Sequence, residues 1–416
     1  MTNIGYKKYP IDNSAILYLA QMRKNHSNVY RFCATMTEPV CPELLQKAAD
    51  NVFVRFPAIM AAVKPAFFSC YVIPSARAPR VQADTGLLRT MSAEEMKSCG
   101  YRICYDGMQI SIEAFHGLTD GYGAIQSFRT LLAEYLCLRY GISLPEKQEM
   151  LEGEEPDWQE ELRDAYLDHG IARPTGIPGR YAYQLPGKDR SWQVKTYQEQ
   201  FSTAELLQAS RSCGVSLTAM LSTIMAEAIA EIQQRQNGGK ILQPVRIMVP
   251  VDLRRLFPSK TLRNYILYAL PTVEAVDCSL PRRERFRRIQ EQLRSQVSRE
   301  RLTAQISRNV RAQRSWLFRM IPLAVKCTAM RIAYRFWGEN NSSITLTNLG
   351  PISLSTQMKS YVERIDVHLT PRRGSPYNCG LVSCGDVTSI SITRFGAEPE
   401  LEPLFFGKLR TVLQRK

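Results

Sequence analysis

The most informative stretch of the sequence runs from Tyr101 to Gly121 and reads YRICYDGMQISIEAFHGLTDG. Two runs that alternate between apolar and polar residues flank Asp106–Gly107, a pair typical of the tight turn in a β-hairpin. The second strand of this hairpin ends at His116. After Gly121 the apolar residues recur at helical spacing, so the chain is expected to pass from a strand through a short loop into a helix.

The loop carries residues suited to proton transfer. A histidine held at a strand end combines a near-neutral pKa with a fixed orientation and access to a cleft, which are the properties of a general base. We therefore take His116 as the candidate catalytic base. Asp120, four residues later, is expected to brace the loop, and Gly121 permits a tight backbone path. The four-residue spacing of His116 and Asp120 is weak evidence by itself, and taken alone it favours an ordinary surface histidine.

Strands and helices alternate through both halves of the 416 residues, which predicts an α/β protein with two similar lobes. We assign residues 1–170 to an N-terminal lobe that carries His116. Residues 171–200, in a region rich in Pro and Gly, are predicted to connect the lobes. Residues 201–416 are assigned to a C-terminal lobe.

The cysteines bear on the cellular compartment. The chain has 11 of them, with no Cys-x-x-Cys pair and no cluster with histidine at zinc spacing. We expect reduced thiols, no metal site and a cytoplasmic, monomeric protein. No apolar stretch at the start resembles a secretory signal, and none elsewhere is long enough to predict a membrane span.

Positive charge is concentrated in one segment. Residues 281–340 contain fifteen Arg or Lys against four Glu, a local net charge of +11. Nucleic acid, an anionic membrane surface and a polyphosphate cofactor are possible partners, and a solvated helix face is the alternative. No recognition motif accompanies the charge, so we expect no nucleic-acid binding. We expect instead a peripheral membrane contact through residues 282–337, where apolar residues recur at helical spacing among the arginines.

The order His116-x-x-x-Asp120-Gly121, after a hairpin strand and before a helix, resembles the catalytic motif of the chloramphenicol-acetyltransferase-like superfamily. Other segments resemble the same superfamily in the same order along nearly the whole chain: Val54–Ile59, Val249–Arg254, Asn264–Pro271 and Thr345–Gly350. Condensation domains usually carry two adjacent histidines, whereas Phe115 occupies the first position here, and the Asp-Phe-Gly-Trp-Gly motif of the plant enzymes is absent. The resemblance is closest to bacterial alcohol O-acetyltransferases and condensation-domain-like proteins.

This resemblance implies two lobes, each a mixed sheet flanked by helices, with an active-site tunnel between them. It also implies a CoA-dependent acyltransferase. The acyl group of an acyl-CoA, or of a carrier-bound thioester, would pass to a hydroxyl or, less readily, an amine, while His116 removes the acceptor's proton. Acyl-CoA would be a co-substrate, with no tightly bound cofactor, and the acceptor a small alcohol or a lipid-like molecule.

Further residues enter through the resemblance. Thr347 and Asn348 lie on the strand expected near the active site and are candidates to stabilise the oxyanion. Arg55 is the candidate partner of Asp120 in a structural salt bridge. Arg254 is a candidate either for the phosphates of CoA or for holding its lobe together.

A second class of function stays open at this point. A non-catalytic, condensation-like protein would keep the two lobes and use the tunnel or the basic surface for docking. The intact motif around His116 favours catalysis, because a protein without chemistry has no need to retain it.

Overall fold

The computed structural model describes residues 8–414 except 24–25, 27, 144–155, 170–180, 187–192, 335–337, 339, 373–374 and 397–398. Its strands are β1 (Tyr9–Pro10), β2 (Val29–Met36), β3 (Ala61–Pro65), β4 (Cys70–Pro74), β5 (Val81–Ala83), β6 (Tyr101–Asp106), β7 (Gln109–Phe115), β8 (Val194–Ser202), β9 (Val245–Asp252), β10 (Ile266–Ala269), β11 (Thr272–Val273), β12 (Ile344–Ile352), β13 (Val362–Leu369), β14 (Tyr377–Cys384) and β15 (Val387–Phe395). Its helices are α1 (Asn13–Gln21), α2 (Pro42–Arg55), α3 (Ala93–Ser98), α4 (Gly121–Tyr140), α5 (Trp158–Glu161), α6 (Thr203–Ser212), α7 (Leu217–Gln236), α8 (Arg282–Gln296), α9 (Arg299–Arg314), α10 (Trp316–Met320), α11 (Leu323–Ala333), α12 (Thr356–Lys359) and α13 (Leu401–Gln414).

The first lobe is built on a five-stranded sheet in the order β13, β2, β7, β6 and β5, in which β5 runs parallel to β6. Helices α2 and α4 cover this sheet because their apolar stripes join the same core as the inward side chains of the strands. The fully buried residues of this core include Phe32, Ile112, Phe128 and Leu131. A small antiparallel sheet of β1, β4 and β3 lies beside it.

The predicted hairpin is confirmed, with its turn one residue later than expected. Asp106 pairs with Gln109, so Gly107 and Met108 form the turn, and only Gly107 has a positive φ, of 52°. The register is set by apolar pairs across the strands, such as Ile103 opposite Ile112, because a slip by one residue would turn those side chains away from the core.

The second lobe is built on a seven-stranded sheet in the order β10, β9, β12, β14, β15 and β8, with β11 also pairing with β9. Its β12 runs parallel to both neighbours and the remaining pairs are antiparallel. Helices α7, α8 and α13 contribute to the same core. Two lobes, each a mixed sheet flanked by helices, confirm the predicted fold class.

The chain crosses between the lobes more often than the predicted boundaries allow. Strand β13 comes from the C-terminal half, yet it pairs with β2 and completes the first lobe's sheet. The assignment of all of 201–416 to one lobe is therefore wrong for 362–369. Of the predicted connection 171–200, residues 171–180 and 187–192 lie outside the described residues, and Val194 already begins β8.

Among the described residues, no single helix has the length and apolar content of a membrane span. Only α6 and α7 taken together meet that criterion, across a bend of 83°.

Candidate active site

The orientation of His116 is set by a residue from the other half of the chain. The Asn264 side chain donates from Nδ2 to the backbone carbonyl of His116 over 2.8 Å, and its Oδ1 lies 3.1 Å from His116 Nδ1. Because the amide nitrogen is engaged with the carbonyl, the atom facing Nδ1 is an acceptor, so Nδ1 carries the proton. The lone pair of the neutral imidazole is then on Nε2, the arrangement of a general base.

Two tyrosines pack against the imidazole. The ring of Tyr18 on α1 stacks on it at a centroid distance of 4.4 Å, and the Tyr18 hydroxyl lies 3.5 Å from Nε2. Tyr30 on β2 approaches edge-on at 4.9 Å. Burial raises the pKa of both phenols, so both stay protonated at neutral pH. The aromatic contacts hold the ring while the His116 side chain stays partly exposed.

Asp120 is fully buried and organises the loop after His116. As the N-cap of α4, its Oδ1 accepts from the backbone amides of Tyr122 and Gly123 over 3.1 and 3.3 Å. Its Oδ2 accepts from Arg254 Nη1 and from the backbone amide of Tyr265, each over 2.8 Å. The side chain therefore faces protein donors on all sides, in agreement with the predicted bracing role.

The partner predicted for Asp120 is wrong. Arg55, at the end of α2, forms a two-bond ion pair with Glu161 at 3.0 and 2.7 Å, and the ion pair of Asp120 is with Arg254. The reason is position, because α2 ends beside the α5 turn that carries Glu161. The carboxylate of Asp120 instead faces the segment that follows β9.

Arg254 is not available to bind the phosphates of CoA. Its guanidinium donates from Nε to the Thr261 carbonyl, from Nη1 to Asp120 and Asp252, and from Nη2 to the Thr261 and Arg263 carbonyls. These contacts use all five N–H groups of the side chain, which is buried. Of the two roles predicted for Arg254, the structure supports the structural one.

The segment Thr261–Tyr265 of the C-terminal half contacts the first lobe and carries Asn264 to His116. The Leu262 carbonyl accepts from Thr119 Oγ1 over 2.6 Å, and Arg263 Nη2 donates to the Pro10 carbonyl over 2.9 Å. Close approach depends on Gly123, where an added Cβ would lie 2.4 Å from the Leu262 carbonyl oxygen. Asn264 sits between these anchors, so its amide is placed beside His116 by both lobes.

The remaining predicted residues lie on β12 and at the start of α4. Gly121 is the first residue of α4, and a Cβ there would come within 2.8 Å of Leu349 Cδ2, so β12 reaches the loop of His116. Asn348 donates from Nδ2 to Thr218 Oγ1 over 3.0 Å and accepts from the Gly350 amide over 2.9 Å. Thr347 pairs with a residue of β14. A role in stabilising an oxyanion stays a prediction for both Thr347 and Asn348.

The predicted tunnel also stays a prediction. A cavity of about 300 Å3 lies in the second lobe between α7, α8 and α13, and none of its lining residues belongs to the cluster around His116. Within the described parts of the chain, no three His, Cys, Asp or Glu side chains are grouped as metal ligands.

Sequence reasoning did not assign three members of the site, Tyr18, Tyr30 and Asn264. Asn264 begins one of the segments that resemble the superfamily, so that resemblance could have suggested a position for Asn264 beside His116. Tyr18 is one of the 19 tyrosines of the chain, and its helix carries no motif that would distinguish it.

The acid limb of the pH profile is expected below pH 6.5. Burial lowers the pKa of His116 from its ordinary value of 6.5, against the opposing effects of its backbone, Asp120 and Asn264. The form of His116 predicted to act as the base is the neutral imidazole, so the rate should fall only as the pH drops through this lowered pKa. The measurement is kcat/KM against pH for the free enzyme, and an acid limb above pH 6.5 contradicts it.

Asn264→Ala tests the two hydrogen bonds between the Asn264 side chain and His116 separately. Loss of the acceptor at Nδ1 removes a contact that raises the pKa of His116, so the acid limb should move to still lower pH. The rate on the plateau should fall about tenfold, because the tautomer and the ring are no longer held. A plateau loss with an unchanged limb would indicate that Asn264 acts only on the packing of the lobes.

Comparison with known proteins supports the fold. No protein-family model matches the sequence, and no curated protein matches it significantly by sequence. Solved structures do match over nearly the full length. Trichothecene 15-O-acetyltransferase from Fusarium sporotrichioides superposes with a TM-score of 0.61 at 11% identity, over 97% of this chain and 94% of that one.

Two further structures show the breadth of the likeness. TRI101 of F. sporotrichioides, complexed with coenzyme A and T-2, has a TM-score of 0.61 at 14% identity, over 96% of this chain and 97% of that one. The epimerization domain from the third module of tyrocidine synthetase B has a TM-score of 0.59 at 13% identity, over 99% and 96% of the two chains. The chain therefore shares the two-lobed fold of these acetyltransferase and epimerization-domain structures.

Proposed function

We propose that this protein is an acyltransferase that moves an acyl group from a thioester, acyl-CoA or an acyl carrier, to a hydroxyl acceptor. The observation that carries the proposal is the placement of His116 by Asn264, which fixes the proton on Nδ1 and leaves the lone pair on Nε2. A protein that only docks a partner has no need for this arrangement. The structures of similar fold include an O-acetyltransferase and a protein bound to coenzyme A, which supports the same kind of chemistry.

The proposed reaction is a direct transfer. Nε2 of His116 takes the proton of the acceptor hydroxyl as its oxygen attacks the thioester carbonyl, which forms a tetrahedral oxyanion. Collapse of the oxyanion breaks the carbon–sulfur bond, and the proton held on the imidazolium passes to the departing thiolate. The products are an ester and a free thiol, and no acyl-enzyme forms. Thr347 and Asn348 are our candidates to donate to the oxyanion.

The acceptor is proposed to be an alcohol in preference to an amine. Most amines are protonated near neutral pH, so an amine acceptor would first have to lose a proton before it could attack. A hydroxyl keeps its proton until the base removes it, which is the task that a neutral His116 can perform.

Release of free thiol tests the proposal directly. Purified protein is incubated with acyl-CoAs of increasing chain length and with alcohol, sugar, amine and lipid acceptors, and thiol release above the acceptor-free rate is measured. We expect acceptor-dependent release with at least one alcohol, and a matching ester in the product mixture. Release without an ester would indicate hydrolysis, and transfer only to amines would reverse the assignment of the acceptor.

A further inference from the structure

The helix α8 is not the membrane-facing part of the basic segment. Its apolar stripe is buried in the second lobe. Its arginines are largely neutralised by ion pairs: Arg282 with Glu227, Arg287 with Glu284 and Glu291, and Arg288 with Asp277. The apolar residues of α9 are buried as well. The part of the basic segment open to a membrane therefore follows α9. Residues 335–337 of that part lie outside the described residues.

The next two helices expose apolar side chains instead of burying them. On α10, Trp316, Leu317 and Met320 are 70%, 60% and 59% exposed, and on α11, Val325 and Ile332 are both 54% exposed. No side chain of α10 is buried. A helix of a soluble lobe normally turns such residues inward, so this surface is unusual.

A loop of the first lobe adds two aromatic rings to this surface. Phe67 and Phe68, between β3 and β4, are 70% and 42% exposed. Their carbonyls are tied to the helices, since the Leu323 amide donates to Phe67 over 2.7 Å and Lys326 Nζ donates to Phe68 over 2.7 Å. The apolar patch is defined here as the exposed residues Phe67, Phe68, Trp316, Leu317, Met320, Val325 and Ile332.

Lys326 shows that the two parts of the apolar patch are built to stay together. Its side chain is buried, its Nζ also donates to the Arg319 carbonyl over 3.3 Å, and it lies 5.0 Å from the centre of the Phe318 ring. A buried lysine is costly unless its ammonium is hydrogen-bonded, so its position reflects the joining of loop and helices. The backbone is fixed while the apolar side chains point outward.

The surroundings of the apolar patch are cationic. Between Arg301 and Gly338 the sequence has no Asp or Glu, and it contains Arg301, Arg308, Arg311, Arg314, Arg319, Lys326, Arg331 and Arg335. Of these, Arg308, Arg311, Arg319 and Arg331 are exposed, as is Lys64 near the loop of the first lobe. Exposed apolar side chains that share α10 and α11 with the exposed Arg319 and Arg331 match the chemistry of an anionic bilayer surface, with acyl chains beneath negatively charged headgroups.

The apolar patch is one helix away from the candidate active site. Helix α11 packs on α1, where Arg331 Nε donates to the Ala20 carbonyl over 2.8 Å, and its inward side chains join the same core as Tyr18. Tyr18 in turn stacks on His116. A membrane held at the patch would thus lie on the α1 side of the site.

We propose that the apolar patch docks reversibly on an anionic lipid surface, and that the enzyme there meets a lipid-like acceptor or acyl donor. The lipid-like acceptor or donor rests on the proposed function, whereas the docking on lipid does not. A second copy of the chain fits the patch less well, because a twofold contact would bring the same exposed arginines of both copies together.

Co-sedimentation of the full chain with lipid vesicles tests the docking. Vesicles of phosphatidylcholine alone are compared with vesicles that also contain phosphatidylglycerol, at low and high salt. We expect binding to the anionic vesicles at low salt and its loss at high salt, where charges are screened. Phe67→Ser combined with Trp316→Ser should lower the partition coefficient by about tenfold or more, because two large apolar side chains no longer enter the interface.

Leu242→Ser combined with Val276→Ser is the control, since these residues are 62% and 66% exposed and lie outside α10, α11 and the loop of Phe67, and it should bind as wild type does. His116→Ala should also bind normally, which separates a failure of docking from a failure of catalysis. The proposal is overturned if wild-type protein does not bind anionic vesicles at low salt, or if the patch variant binds equally well. It is also overturned if light scattering shows that the wild-type protein is a dimer and that the patch variant is a monomer.

Discussion

His116→Ala is expected to lower kcat/KM for acyl transfer by on the order of 10²–10⁴, the usual contribution of a general base. The substitution removes Nε2, the atom that takes the proton in the proposed mechanism. The protein should remain folded, because the ring is partly exposed and its main losses are the stacking on Tyr18 and the bond to Asn264. The measurement is ester formation with a donor and acceptor that the wild-type protein accepts.

Two controls make this result specific. The residual rate of His116→Ala should no longer show the acid limb, since the group that titrates there is gone. His169→Ala removes a histidine that packs on Phe257 and contacts the side chain of Tyr265, and it should keep a rate near that of wild type because the bond from the Tyr265 backbone amide to Asp120 remains. Normal turnover in His116→Ala, with its fold verified by circular dichroism, would refute the assignment of the base.

The part of the site that could be predicted from sequence is the part made by neighbours in the chain. Alternation over 101–115 predicts the hairpin, and helical spacing after Gly121 predicts α4. The loop between them must then hold His116 and Asp120 close together at the end of the strand. These inferences need only local periodicity and turn chemistry, which are written into consecutive residues.

The partners of these residues could not be predicted in the same way. Asn264 is 148 residues from His116, and Arg254 is 134 residues from Asp120. The chain has 54 Lys or Arg, so charge alone does not select the one that pairs with Asp120. The resemblance predicts Arg55 as the partner of Asp120, but Arg55 forms its ion pair with Glu161 because helix α2 ends on that side of the lobe. Pairing of this kind depends on how the lobes pack.

The crossing of β13 into the first sheet was missed for a related reason. Its burial pattern is that of a strand in either sheet, and its partner β2 lies more than 300 residues earlier in the sequence. Dividing the sequence into consecutive lobes assumes that each residue contacts only residues of its own half of the chain. In this protein the segment Thr261–Tyr265 and the strand β13 both return to the first lobe, and the first of these returns is what completes the site.

Asp120→Asn is expected to destabilise the protein by about 3–5 kcal/mol, the usual cost of breaking a buried ion pair by changing one partner. Both oxygens of Asp120 accept hydrogen bonds, so the amide group of asparagine must point a donor at other donors in either orientation. The loss leaves the charge of Arg254 without its buried counterion. Activity should fall as well, because the bond to the Tyr265 amide helps to place the neighbouring Asn264.

Asp252→Asn is the matched control for this experiment. Asp252 accepts from the same nitrogen of Arg254 over 3.0 Å, but its side chain is 31% exposed, whereas that of Asp120 is 0% exposed. Water can replace the lost contact at the exposed site, so the cost there should be about 1 kcal/mol or less. Denaturant unfolding of both variants, with transfer rates measured in parallel, gives the comparison. If Asp120→Asn lost activity at unchanged stability, Asp120 would act on the reaction itself and not by bracing the loop that carries His116.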